Sequence, residues 1–109
     1  MHDHAKSPYT FSHKQAANLL RLISNPDRIK ILTLITVREW DVKSLSRELA
    51  IEQPAMSQHL SVLREAQLVS TRRSGQHIFY FSDSPALLAI LNTLGSLDVL
   101  SVPKLCELA

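Results

Sequence analysis

A chain of 109 residues is long enough for one domain with a modest core. Twelve Lys and Arg against ten Asp and Glu leave a formal net charge of +2, too small to imply a nucleic-acid partner from the total alone. One cysteine, Cys106, excludes a disulfide framework within the chain and suits a reducing cytoplasm; no charged leader precedes an apolar run, and no apolar run approaches ~18 residues, so neither secretion nor membrane crossing is supported.

In chain order, residues 1–11 are polar and contain Pro8, and read as a flexible leader. His2 and His4 with Asp3 could chelate a metal, but a mobile pair lacks the fixed geometry of a site, and a solvated tail is the preferred reading. Residues 12–98 form the expected domain. Ser12 can cap a helix that continues to about residue 23, with Ala16, Leu19, Leu20 and Ile23 along one face. Asn25 and Pro26 then supply a cap and a first-turn proline for a helix to about residue 37. Its residues Ile29, Ile31, Leu32, Leu34, Ile35 and Val37 surround much of the axis, which makes it the buried central helix. Trp40, just beyond, reads as a core or interface anchor.

A short helix over residues 41–50 follows from Asp41 as a cap and from Val42, Leu45 and Leu49 at helical spacing. Only Ile51 and Glu52 separate it from the next helix, in which Ala55, Met56, Leu60, Leu63 and Ala66 recur at three- and four-residue steps and Pro54 suits the first turn. So tight a junction predicts a helix-turn-helix. The polar face of the second helix carries Gln53, Ser57, Gln58 and His59, with Arg64 a turn further on, a chemistry suited to base edges and phosphate oxygens. Residues 68–73 and 77–81 are rich in β-branched and aromatic side chains and flank Ser74-Gly75-Gln76, the pattern of a hairpin. From residue 53 to 82 there are three arginines, Arg64, Arg72 and Arg73, against the single acid Glu65. A helix-turn-helix with a basic-rimmed hairpin is a winged helix.

The last regular element starts near Ser84-Pro85 and carries Leu87, Leu88, Ile90, Leu91, Leu94 and Leu97, more apolar surface than one small core absorbs, which argues for a partner helix. Residues 99–109, with Pro103, read as a tail without a motif. The fold class expected is thus mainly α with a small β-hairpin, in the order α-α-α-α-β-β-α. Catalysis finds no support: Ser57 and His59 are two apart on one helix and point in different directions, and with only Gly75 and Gly95 there is no phosphate-cradling loop.

These residues resemble the ArsR/SmtB family of bacterial transcriptional repressors. The likeness runs over about residues 16–97. It is carried by Asn25-Pro26-Asp27-Arg28-Ile29-Lys30-Ile31-Leu32, by Ser57-Gln58-His59-Leu60-Ser61-Val62-Leu63-Arg64-Glu65-Ala66, and by Leu68-Val69 followed by the basic wing and Ile78-Phe79-Tyr80. The resemblance implies a homodimer paired through its first and last helices, with Leu19, Leu20, Ile23, Leu87, Ile90, Leu91 and Leu94 at the interface, bound to double-stranded DNA at an imperfect palindrome. Gln53, Ser57 and Gln58 are the expected base readers, with Ala55 and Ser61 beside them. His59 and Arg64 are assigned to DNA with phosphate or neighbouring protein as the other possibilities, and Arg72, Arg73, Gln76 and His77 hold the wing to backbone or minor groove. Glu52 departs from the pattern, since relatives often have Ser there and a carboxylate near phosphate weakens binding unless it caps the helix.

The family's metal sites are also missing. Its Cys-x-Cys pair falls on Asp41 and Lys43, and its Asp-x-His and His-x-x-Glu set falls close to Ser84, Ala86, Leu97 and Leu100, so neither a metal nor another cofactor is expected. Two alternatives stay open: a metal- or redox-responsive sensor using the N-terminal histidines or Cys106, and a winged helix used only for protein contact.

Overall fold

Four of the five helices begin at a side chain that satisfies an N–H of the first turn. In the computed structural model, which describes residues 7–100, these helices are α1 His13–Ile23, α2 Pro26–Ile35, α3 Val42–Leu49 and α5 Pro85–Gly95. Ser12 accepts from Gln15 N–H at 3.2 Å, Asn25 from Arg28 N–H at 3.1 Å, Asp41 from Ser44 N–H at 3.2 Å and Ser84 from Leu87 N–H at 3.2 Å. The exception is α4, Gln53–Glu65, where Glu52 occupies the cap position without a side-chain hydrogen bond. Its carboxylate therefore does not cap the helix. Pro26, Pro54 and Pro85 each stand in a first turn, where the missing N–H is harmless.

Between α3 and α4, Ala50 turns the chain with φ 54°, and the N–H groups of both Ala50 and Ile51 reach back to the Ser46 carbonyl. Ile51 then tucks into the core, which fixes the helix-turn-helix angle. The core is built from Ile31, Leu32 and Ile35 of α2, Leu45 of α3, Met56, Leu60 and Leu63 of α4 and Leu87 of α5, all buried below 2% exposure. Contributing three of these from ten residues, α2 is the central helix. It is shorter than its apolar run implied: the Thr36 hydroxyl donates to the Leu32 carbonyl at 2.8 Å as the helix ends, and Val37 is 82% exposed.

The hairpin consists of β2 Ser70–Ser74 and β3 His77–Phe81, antiparallel, with Gly75 at φ 62° in the connecting turn. A third strand that sequence patterning did not reveal, β1 Trp40–Asp41, pairs with Tyr80 and Phe79, so the sheet order is β1-β3-β2. Two residues are too short for any alternation to register. Their effect is large, because Asp41 is both a sheet residue and the cap of α3, and the wing is thereby tied to the start of the helix-turn-helix. Ser82 secures the other end: its N–H donates to the Ile35 carbonyl at 3.0 Å and its hydroxyl to the Leu68 carbonyl at 2.7 Å. Trp40 packs against the core, with the Arg38 guanidinium 3.5 Å over its ring. Beyond α5 a 3₁₀ turn, Asp98–Leu100, closes the described chain.

Two residues expected at a dimer interface are covered within the protomer. Ile23 and Leu87 are inside the protomer's own core, at 6% and 0% exposure. Each lies on the edge of its apolar stripe that turns inward, whereas Leu20 and Leu88 remain 57% and 48% exposed. Leu19, Ile90, Leu91 and Leu94 are half-buried. An apolar cleft of about 530 Å³ lies between α1 and α5, lined by Phe11, Ala16, Leu19, Leu20 and Ile90 among others. Among the described residues no helix is long and apolar enough to cross a membrane.

Candidate nucleic-acid interface

Helix α4 presents two chemically distinct faces. Met56, Leu60 and Leu63 point inward, and this leaves Gln53, Ala55, Ser57, Gln58, Ser61 and Arg64 exposed. Among the described residues none of these exposed side chains donates or accepts a side-chain hydrogen bond, so the amide and hydroxyl groups remain available to a ligand. A Gln amide offers a donor and an acceptor together, which matches adenine N6 and N7 in a major groove. The helix-turn-helix holds this face outward on a rigid element, with α3 packed behind it.

His59 does not share that exposure. Its side chain is 17% exposed, its Nδ1 accepts from Arg28 Nε at 3.2 Å, and its Nε2 lies 3.9 Å from an Asp27 carboxylate oxygen. The ring is turned toward α2, on the inner flank of the helix.

The wing divides its residues by strand parity. Tyr80 and Trp40 face the core, so Phe79 and Arg72, which are opposite each other in the register, face away from it. There Arg72 stacks 4.9 Å over the Phe79 ring and grips Glu39 with both ends of its fork, Nη2 at 2.7 Å and Nε at 2.9 Å. Arg72 thus carries a surface ion pair, with its side chain 50% and that of Glu39 39% exposed. Its guanidinium holds the Glu39 carboxyl below the ordinary carboxylate range, and the carboxylate raises Arg72 in return. With Glu39 shifted down, the pair persists at neutral pH and is lost only as the pH falls through the carboxylate range. Arg73, Gln76 and His77 are exposed at the tip, where Arg73 Nε donates to the Gly75 carbonyl at 3.2 Å across its own turn.

Glu39 was not legible as part of this surface, because it stands 33 residues from Arg72 and outside every local pattern. Glu39→Gln should free Arg72. The expected result is tighter binding to any duplex, with the slope of log affinity against log salt steeper by about one unit for each phosphate that the released guanidinium neutralises. Titrations across a salt series measure this, and an unchanged slope would mean that Arg72 cannot reach the backbone.

A cleft of about 370 Å³ separates the start of α3 from the wing, lined by Asp41, Lys43, Gln76, His77, Ile78 and Tyr80 among others. Asp41 is committed within it: one oxygen caps α3 and the other accepts from the Ser44 hydroxyl at 2.6 Å, a bond that holds its carboxyl below the usual range. Among the described residues no group of three or more His, Cys, Asp or Glu is placed to hold a metal ion. His2, His4 and Cys106 lie outside the described residues.

This arrangement has counterparts among known proteins. The model of the bacterial regulatory proteins of the arsR family matches residues 25–71, from the cap of α2 into β2. The nodulation protein NolR of Rhizobium meliloti is 44% identical over 82 residues, covering 75% of this chain and 67% of NolR. The transcriptional activator HlyU of Vibrio cholerae is 38% identical over 80 residues, covering 73% of this chain and 74% of HlyU. The crystal structure of NolR from Sinorhizobium fredii superposes with a TM-score of 0.71 at 38% identity, over 79% of this chain and 92% of that one. An aligned stretch of 82 residues reaches well beyond the segment the family model covers, so the likeness is not confined to a helix-turn-helix of the kind unrelated regulators share. The chain belongs to the ArsR family of bacterial transcriptional regulators, which bind DNA through this winged helix.

Proposed function

We propose that this regulator acts as a homodimer that occupies an imperfectly palindromic operator in promoter DNA and represses by blocking polymerase. One observation carries the reading: α4 exposes Gln53, Ser57, Gln58 and Ser61 on a single rigid helix without intramolecular side-chain partners among the described residues. Buried or paired, such side chains would be structural; exposed together above a core-packed face, they suit base edges. Gln53, Ser57 and Gln58 read bases, Arg64 and Arg73 hold the phosphate backbone, and Gln76 and His77 steady the wing tip. Leu19, Leu20, Ile90, Leu91 and Leu94 supply the dimer contact, and a two-fold axis then places the two α4 helices in successive major grooves about 34 Å apart. The protein works where the DNA is, in the cytoplasm. It works without a bound metal, since Asp41, at one of the family's ligand positions, is spent on capping α3.

Occupancy and repression are separable. HlyU is named an activator, and the same contact with DNA yields either sign according to where the operator stands relative to the promoter.

Selection of bound sequences from random duplexes tests the proposal. The enriched sites should contain two inverted half-sites centred about 10 base pairs apart or a multiple of that, bound with a steep inverse dependence on salt. Addition of zinc, cadmium or arsenite should leave the complex intact. Failure to enrich any sequence, together with salt-insensitive binding, would favour a module for protein contact instead.

A further inference from the structure

Packing of the buried Met56, Leu60 and Leu63 keeps α4 on the core, but dispersion contacts have little directionality and by themselves oppose small rotations of the helix about its own axis only weakly. Base reading does not tolerate them, since a bidentate contact depends on donor and acceptor directions as well as distance. Something directional must set the roll of the helix. Among the described residues the side-chain hydrogen bond between α4 and another element is the one from Arg28 Nε to His59 Nδ1, at 3.2 Å.

Arg28 is well placed to act as a reference point. Its Nη1 donates to the Leu22 carbonyl at 3.1 Å in the last turn of α1, and its own N–H is held by the Asn25 cap. One guanidinium therefore joins the end of α1, the start of α2 and the middle of α4. A guanidinium has donors only, so the His59 nitrogen that faces it carries no proton; the ring's proton sits on Nε2, toward Asp27 3.9 Å away. Asp27 is in turn 3.9 Å from Lys30 Nζ. Gln58 immediately precedes His59 on a rigid helix, so the anchorage of the ring sets the direction in which Gln58 leaves the axis.

We propose that His59 is a positioning residue for operator recognition: its Nδ1, held by Arg28, fixes the roll of α4 against α2 and so aims the base-reading face, without itself touching DNA. This rests on the reading of α4 as the helix that selects the operator.

The test uses the full chain, the operator obtained by selection and a random duplex of equal length. Asn places its acceptor oxygen near the position of Nδ1, whereas Gln extends to the position of Nε2. His59→Leu should weaken operator binding about tenfold and leave random-duplex binding and the salt slope unchanged. His59→Asn should restore most of the loss and His59→Gln should not. Arg28→Gln should cause a similar loss alone and little further loss on top of His59→Leu, because both remove one bond. If Gln restores selectivity and Asn does not, Nε2 contacts the DNA and the proposal is overturned. Equal losses on both duplexes with a shallower salt slope would make His59 a phosphate ligand, which overturns it as well. Should His59→Leu fail to fold, the Asn and Gln variants decide the matter by themselves. A wild-type protein without sequence preference would overturn the operator reading and this inference together; a selective wild type with equally selective variants overturns this inference alone.

Discussion

Leu20→Glu combined with Leu94→Glu should yield a folded monomer whose operator affinity is lower by roughly two orders of magnitude or more. The choice of positions follows from how the apolar stripes of α1 and α5 are divided. Ile23 and Leu87 serve the protomer's own core and Ile90 and Leu91 lean on it, so charges there would damage folding as well as assembly. Leu20 is 57% exposed, and Leu94 is half-buried without belonging to the core cluster. Two-fold symmetry doubles every substitution, which puts four carboxylates into one dimer interface, and an ion stripped of water without a partner costs several kcal/mol. Loss of the second half-site then removes an avidity of roughly 10² to 10⁴. Sedimentation equilibrium reads the assembly, circular dichroism the fold, and duplex titration the affinity. A variant that stays dimeric with wild-type affinity would show that this face is not the interface.

Exchanging the exposed glutamines of α4 should erase discrimination while leaving affinity for random DNA nearly untouched. Gln53→Ala and Gln58→Ala each remove an amide that can satisfy a purine edge, and losing a good bidentate pair costs about 1 to 3 kcal/mol at that base pair. The pair of changes narrows the gap between operator and random duplex by roughly thirtyfold to ten-thousandfold in each half-site if both read bases. Neither group is charged, so the salt slope stays constant. Arg73→Ala should do the reverse, weakening both duplexes alike and flattening the slope by about one unit for each phosphate left without its cation. Arg72→Ala should change the slope less than Arg73→Ala, because Glu39 already holds the Arg72 guanidinium at 2.7 to 3.1 Å. Should the arginine substitutions abolish selectivity and the glutamine ones leave it intact, the wing would be the reader and α4 a scaffold.

Features made within a few residues of chain were already legible in the order of the amino acids. The caps at Ser12, Asn25 and Asp41 each close a bond to the N–H three residues on, so a short polar side chain just ahead of an apolar periodic run announces them. The alternation of Met56, Leu60 and Leu63 with Gln53, Ser57 and Gln58 declares both the helix and its outward face, since the 3.6-residue period is a property of the backbone alone. The turn at Gly75 marks the wing for the same reason. Everything that depends on which surface meets which had to wait for the folded chain. Periodicity shows that the α5 stripe is apolar but not that Leu87 is covered by its own core while Leu88 is left open. Arg28 with His59, and Glu39 with Arg72, are contacts 31 and 33 residues apart, and no local rule brings them together. Both pairs give a charged or polar side chain of the α4 or wing surface an intramolecular partner. They arise because β1, only two residues long, aligns the loop before α3 with the wing, and because packing of α4 on α2 turns one edge of the recognition helix inward. The polar side chains left open on α4 and those tied to another element have the same chemistry in the sequence, and only their partners in three dimensions tell them apart.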